Sequence, residues 1–171
     1  MEKYKQTCEY IKQNISISPV VGIILGSGLG ELVSNLSDTV SLKYGEIPNF
    51  INSGIDGHKG NLVFGHIDNV PVVIMQGRNH YYEGHSMSDV TFPIRIMSML
   101  GVKTLITTNA VGGINQSFRV GDIMLVNDHI NLMNGNPLIG KHEPEFGDRF
   151  VNMSSVYDKE LIGVGLLCGY K

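Results

Sequence analysis

The sequence predicts an α/β fold in which a mixed, twisted sheet is flanked by helices. Three observations predict it. Short apolar, β-branched runs such as "VVGIILG" (20–26) have the composition of strands buried on both faces. Stretches with helical spacing alternate with these runs. Polar and glycine-rich clusters fall where the strands end, which is where open α/β sheets hold ligands.

In chain order, Tyr4, Cys8, Ile11 and Ile15 recur at spacings of four, three and four, one face of an N-terminal helix. The strand at 20–26 follows, and "GLGELVSNL" (28–36) reads as the start of a second helix. "NLVFGHI" (61–67) and "VPVVIMQG" (70–77) are two strands joined through the turn-forming Asp68-Asn69. Residues 86–100 read as a helix with Ser86 or Ser88 as its cap and Val90, Ile94 and Met97 on its inner face. Pro93 lies within it and predicts a kink or a later start. "TLITTNAVGG" (104–113) is a further buried strand that ends in glycines, and "GDIMLVNDHINL" (121–132) another strand. The tail, about 161–171, begins as an apolar-faced helix and then stops. The chain is expected to form a single, partial domain over 1–171.

Bulk properties narrow the function. A chain of 171 residues, 42% hydrophobic and 17% charged, has the balance of a globular protein with a real core. Its net charge is −3, from 13 basic and 16 acidic residues, with no basic cluster. Neither nucleic acid nor a membrane is therefore expected as a partner. Two cysteines, Cys8 and Cys168, are too few for a disulfide framework. The N-terminal stretch lacks the apolar core of a signal peptide, so a cytoplasmic setting is expected. No metal site is expected, since His80 and His85 lie five residues apart, not at zinc-ligand spacing on a helix.

The chemistry concentrates in a few loops. "GSGLG" (26–30) follows the first strand but is neither of the named nucleotide loops. Counting from Gly26 or Gly28, the third glycine of G-x-G-x-x-G falls on Glu31 or Val33, and no Gly-Lys-Ser/Thr is present. The missing fingerprint argues against an NAD-linked oxidoreductase. A strand, a glycine loop and a helix start still direct backbone N–H groups at an anion, with the Ser27 hydroxyl beside them. Equally, the glycines alone could serve a tight turn. "QGRNHYYEGH" (76–85) adds Arg78, His80, Tyr82 and Glu83 directly after a strand. With a period of two, residues 78, 80 and 82 would share one side. Arginine grips phosphate through two parallel hydrogen bonds; the plain alternative is a polar loop with an Arg78–Glu83 ion pair. His58, between glycines in "GHKG" (57–60), and Asn109-Ala110, at another strand end, complete the set. Asp128 and His129 read as structural.

Taken together, "GSGLG", "YGEIPNF", "GHKGNLVFG", "MQGRNHYYEGH", "TNAVGGIN", "GDIMLVNDHINL" and "FGDRF" resemble the trimeric purine nucleoside phosphorylases. The likeness runs from about residue 3 to about residue 160. It implies a nucleoside phosphorylase-like fold and phosphorolysis of purine nucleosides to free base and ribose 1-phosphate. Inorganic phosphate is then a co-substrate and no cofactor is needed. By the resemblance, Ser27, His58, Arg78, His80 and Ala110 bind phosphate, and Tyr82 and Asn109 contact the substrate. Glu83 orients the phosphate ligands, and His80, Arg78 and Glu83 form the catalytic set. Phe150 corresponds to the aromatic ring that a neighbouring subunit lends to the ribose pocket, so a homotrimer is implied. The family's sequence continues past this chain with the residues that hold the purine. The expectation is a fold whose C-terminal part is missing, with "LIGVGLLCGYK" (161–171) as an atypical end. The alternative is an inactive truncated form that binds phosphate or joins full-length subunits.

Overall fold

A computed structural model describes residues 1–52 and 59–169. The chain divides into two compact units, Met1–Ala110 and Val111–Lys171.

The first unit is built on a five-stranded sheet in the order β2-β3-β4-β1-β5. Its strands are β1 (Val21–Ile24), β2 (Ser37–Lys43), β3 (Asn61–Ile67), β4 (Val70–Gln76) and β5 (Thr104–Thr107). The sheet is mixed. β1 runs parallel to both neighbours, with Ile24 opposite Met75 on one side and Thr107 on the other. β2, β3 and β4 form an antiparallel meander. Asp68 and Asn69 turn the β3–β4 hairpin with φ of 47° and 70°, the doubly left-handed pair of a type I′ turn.

Both faces of the sheet are covered. Ile23, Leu25, Val63, Val72 and Ile74 form one buried cluster, and Val33 and Leu36 pack against it. On the other face, Gly22 makes room for a helix, since a Cβ there would sit 3.0 Å from Met97 Sδ. That helix, α2 (Met87–Leu100), packs beside α1 (Glu2–Asn14). Tyr4 stacks on Phe92 at 4.9 Å, and Arg95 Nη1 donates to the Tyr4 hydroxyl at 2.9 Å. Burying each such large apolar side chain contributes about 1.5–3 kcal/mol.

Several expectations change. The residues at 28–36 form only a 3-10 turn, Gly30–Asn35; Gly28 and Gly30 supply little helix propensity. α2 starts at Met87, capped by Ser86, and runs through Pro93 without a later start. Its buried face is Phe92, Pro93, Ile96, Met97 and Leu100, whereas Val90 and Ile94 are only partly buried. β5 is an edge strand, with Leu105 39% and Ile106 47% exposed, not a buried one.

In the second unit the strand expected at 121–132 does not form. Alternating apolar residues confer propensity, and a strand also needs a partner ladder. His129 there is hydrogen-bonded through Nε2 to the Tyr157 hydroxyl, and its N–H donates to Asp128 Oδ1 at 2.8 Å, in keeping with a structural role. α3 (Lys159–Gly169) is capped by Asp158, whose Oδ1 accepts from the N–H groups of Glu160 and Leu161. Leu161, Val164, Leu166 and Leu167 along it are exposed, as expected of an apolar-faced tail.

Candidate functional site

Because β4, β1 and β5 are adjacent and parallel, their carboxyl ends lie side by side. The loops that follow them carry Ser27, then Arg78 and His80, then Asn109 and Ala110. Register alone therefore gathers five of the candidate residues at one edge of the sheet.

Hydrogen bonds tie the three loops together. Arg78 Nη1 donates to the Leu25 carbonyl at 3.2 Å, linking the β4 and β1 loops. The Gly26 N–H donates to Thr108 Oγ1 at 2.8 Å, and that hydroxyl donates on to the Ile24 carbonyl at 3.1 Å, linking β1 to β5. Gly26 is required by this closeness, since a Cβ would sit 2.7 Å from the Thr108 carbonyl oxygen and 2.9 Å from Asn109 Cα. Gly28 turns the loop with φ +87°. Ser27, Asn109 and Ala110 are exposed, and Arg78 and His80 are half-buried. The result is an open cradle of one guanidinium, one imidazole, one hydroxyl and loop backbone.

The stretch after β4 does not keep a period of two. Gly77 has φ +97° and ends the strand, and Tyr81–Glu83 form a 3-10 turn. His80 and Tyr82 still come together, their rings stacked at 4.8 Å, with Tyr82 76% exposed. Glu83 Oε1 accepts from the His80 N–H at 2.5 Å, and its Oε2 lies 3.6 Å from His85 Nε2. Glu83 thus fixes the backbone at His80. His58 lies outside the described residues. Phe150 belongs to the second unit and is 90% exposed.

Several supporting residues escaped the sequence analysis. Thr108 bridges β1 and β5 as described. The buried Tyr44 donates its hydroxyl to the Gly77 carbonyl at 2.6 Å, and burial pushes that hydroxyl above its ordinary pKa. Gln76 ends β4 in a buried position. The available signal was a polar residue closing an apolar run, "VVIMQ" and "TLITT". A separate cleft lies elsewhere in this unit. It measures about 620 Å³ and is lined by Ser16, Ser18, Asp38 and His66, at the amino ends of β1 and β4.

The mixed sheet carries interlocked loops at the carboxyl ends of its parallel strands, and residues 20–164 match the Phosphorylase superfamily. The chain belongs to that superfamily. It is similar to purine nucleoside phosphorylase 1 of Bacillus subtilis (strain 168), with 53% identity over 160 residues, 94% of this chain and 59% of that protein. Identity to the purine nucleoside phosphorylase of Rattus norvegicus is 48% over 163 residues, 94% of this chain and 56% of that protein. Among solved structures, isoform 2 of purine nucleoside phosphorylase from Schistosoma mansoni, in complex with cytosine and ribose-1-phosphate, matches with TM-score 0.92 at 41% identity. That match covers 99% of this chain and 60% of the other. The chain thus spans 56–60% of the length of these relatives.

Proposed function

We propose that this chain carries the phosphate half of a purine nucleoside phosphorylase. The reaction is phosphorolysis of the N-glycosidic bond of a purine (deoxy)ribonucleoside, giving free base and (deoxy)ribose 1-phosphate. The observation that carries the reading is the interlocking of three strand-end loops by Arg78–Leu25 and Gly26–Thr108 hydrogen bonds. The relative from Schistosoma mansoni with ribose-1-phosphate supports the choice of product.

In this reading Ser27, His58, Arg78, His80 and the Ala110 backbone hold inorganic phosphate, which is the co-substrate; no cofactor takes part. A phosphate oxygen bonds to the anomeric carbon as the bond from that carbon to the purine nitrogen breaks. The electron pair leaves with the base, which takes up a proton. The sugar is oxocarbenium-like at the midpoint, as in glycoside hydrolysis. The held phosphate stabilises that cation before capturing it, so no side-chain nucleophile is needed. Positioning and electrostatics supply the acceleration. Tyr82 and Asn109 contact the sugar, and Glu83 acts through His80, whose backbone it holds. Phe150 serves the ribose pocket of a neighbouring subunit in a homotrimer, within the cytoplasm.

The test is hypoxanthine release from inosine, with and without phosphate, beside Arg78→Ala. Phosphate-dependent release that the substitution abolishes is expected. A folded, soluble chain that releases no base even with phosphate present overturns the activity for this chain.

A further inference from the structure

The loop that carries Ser27 is held at both ends. At Gly26 the anchor is Thr108, described above. At the other end the anchor is Gln76. This residue closes β4 two positions before Arg78 and is 4% exposed. Its Nε2 donates to the Gly30 carbonyl at 2.8 Å, and its Oε1 accepts from Asn61 Nδ2 at 3.1 Å. The Gln76 carbonyl also accepts from the Gly60 N–H at 3.1 Å. A side-chain amide used at both ends has a fixed orientation, because turning it over would face N–H against N–H and oxygen against oxygen. Between the anchors, Ser27, Gly28 and Leu29 are exposed, and a Cβ at Gly28 would meet nothing within 4 Å. Within the loop itself the Leu29 N–H donates to the Gly26 carbonyl at 3.3 Å.

We propose that Gln76 is a positioning residue for the anion cradle. It holds the Gly30 end of the Ser27 loop against the strand that leads into Arg78, so that hydroxyl and guanidinium address one phosphate. The inference rests on the reading of the cradle as a phosphate site.

Two substitutions in the 171-residue chain test it, with inorganic phosphate as the probe. Gln76→Glu keeps the acceptor for Asn61 and removes the donor to Gly30; Gln76→Met removes both. Phosphate affinity, from calorimetric titration, is expected to fall about tenfold in each at pH 8, the worth of one hydrogen bond. Backbone amides at 28–30 are expected to lose hydrogen-exchange protection. On lowering the pH to 5, Q76E alone recovers toward the parent, because burial at this 4%-exposed position raises the introduced carboxyl's pKa and its protonated form again has a hydrogen to donate. Unchanged loop protection and affinity in Q76M, or a Q76E deficit that ignores pH, overturns the positioning role. A parent chain that binds phosphate no better than Arg78→Ala overturns the phosphate reading instead. In that case the exchange data still report separately whether Gln76 ties the loop.

Discussion

The Tyr44 hydroxyl donates to the Gly77 carbonyl at 2.6 Å, one residue before the arginine of the candidate cradle. Tyr44 is 1% exposed, so the bond is made without competition from water. Tyr44→Phe strands that carbonyl and is expected to cost about 1–2 kcal/mol in denaturant unfolding. Burial raises the folded-state pKa of this hydroxyl. Its neutral form therefore stabilises the fold fully below the ordinary tyrosine value. The contribution is lost as pH rises above about 10, at about 1.4 kcal/mol per pH unit. The stability gap between parent and Y44F should narrow above that pH; a constant gap would refute the assignment.

Two glycines two residues apart, Gly26 and Gly28, behave differently. Gly26→Ala drives a methyl against backbone, with the Thr108 oxygen at 2.7 Å, and neither partner is the end of a flexible side chain. The expected loss is 2 kcal/mol or more, on the order of an overpacked core. Gly28→Ala meets open space and only the left-handed backbone at φ +87°, a cost of about 1–2 kcal/mol. Thermal melts of the pair should rank G26A well below G28A.

Glu83 is expected to act through geometry more than through charge. Glu83→Gln retains an oxygen for the His80 N–H and should cost under about 1 kcal/mol in stability. Glu83→Ala leaves that N–H without its acceptor and should cost about 1–3 kcal/mol. Phosphate titration is expected to show weak loss for the first and clear loss for the second. Equal loss in both would assign the effect to charge.

Ser86 caps α2 by accepting from the Asp89 N–H at 3.2 Å while donating to Asp89 Oδ2 at 2.6 Å. Ser86→Ala should destabilise by about 1 kcal/mol, which lowers the melting temperature by about 2–4 °C in a chain of this size. Circular dichroism melts check this directly.

Much of the first unit was legible because its signals are local. Asp68-Asn69 specify their own turn, and "VVGIILG" could only be a strand covered on both faces. The clustering of Ser27, Arg78 and Asn109 followed from placing each at a strand end, since a parallel sheet does the rest. What failed depended on partners far away in sequence or on the conformation of a single residue. The 121–132 stretch has strand propensity without a ladder. Residues 78, 80 and 82 lost their period because one glycine, Gly77, takes φ +97°. Of the expected face of α2, Met97 is buried beside Phe92, Ile96 and Leu100 while Val90 and Ile94 are half-buried, because packing against the sheet at Gly22 and against α1 chooses the face. Tyr44 and Gln76 were invisible as site residues, because their partners are backbone carbonyls that no side-chain pattern marks.

The pairing of β1 also has a consequence for how the polypeptide is made. As a strand, Val21–Ile24 pairs with β4 and β5, both of which emerge from the ribosome later. At about 5–20 residues per second, an interval of roughly fifty residues leaves this apolar segment without a ladder for several seconds. During that interval the nascent chain presents an unpaired apolar stretch, where chaperone engagement would matter.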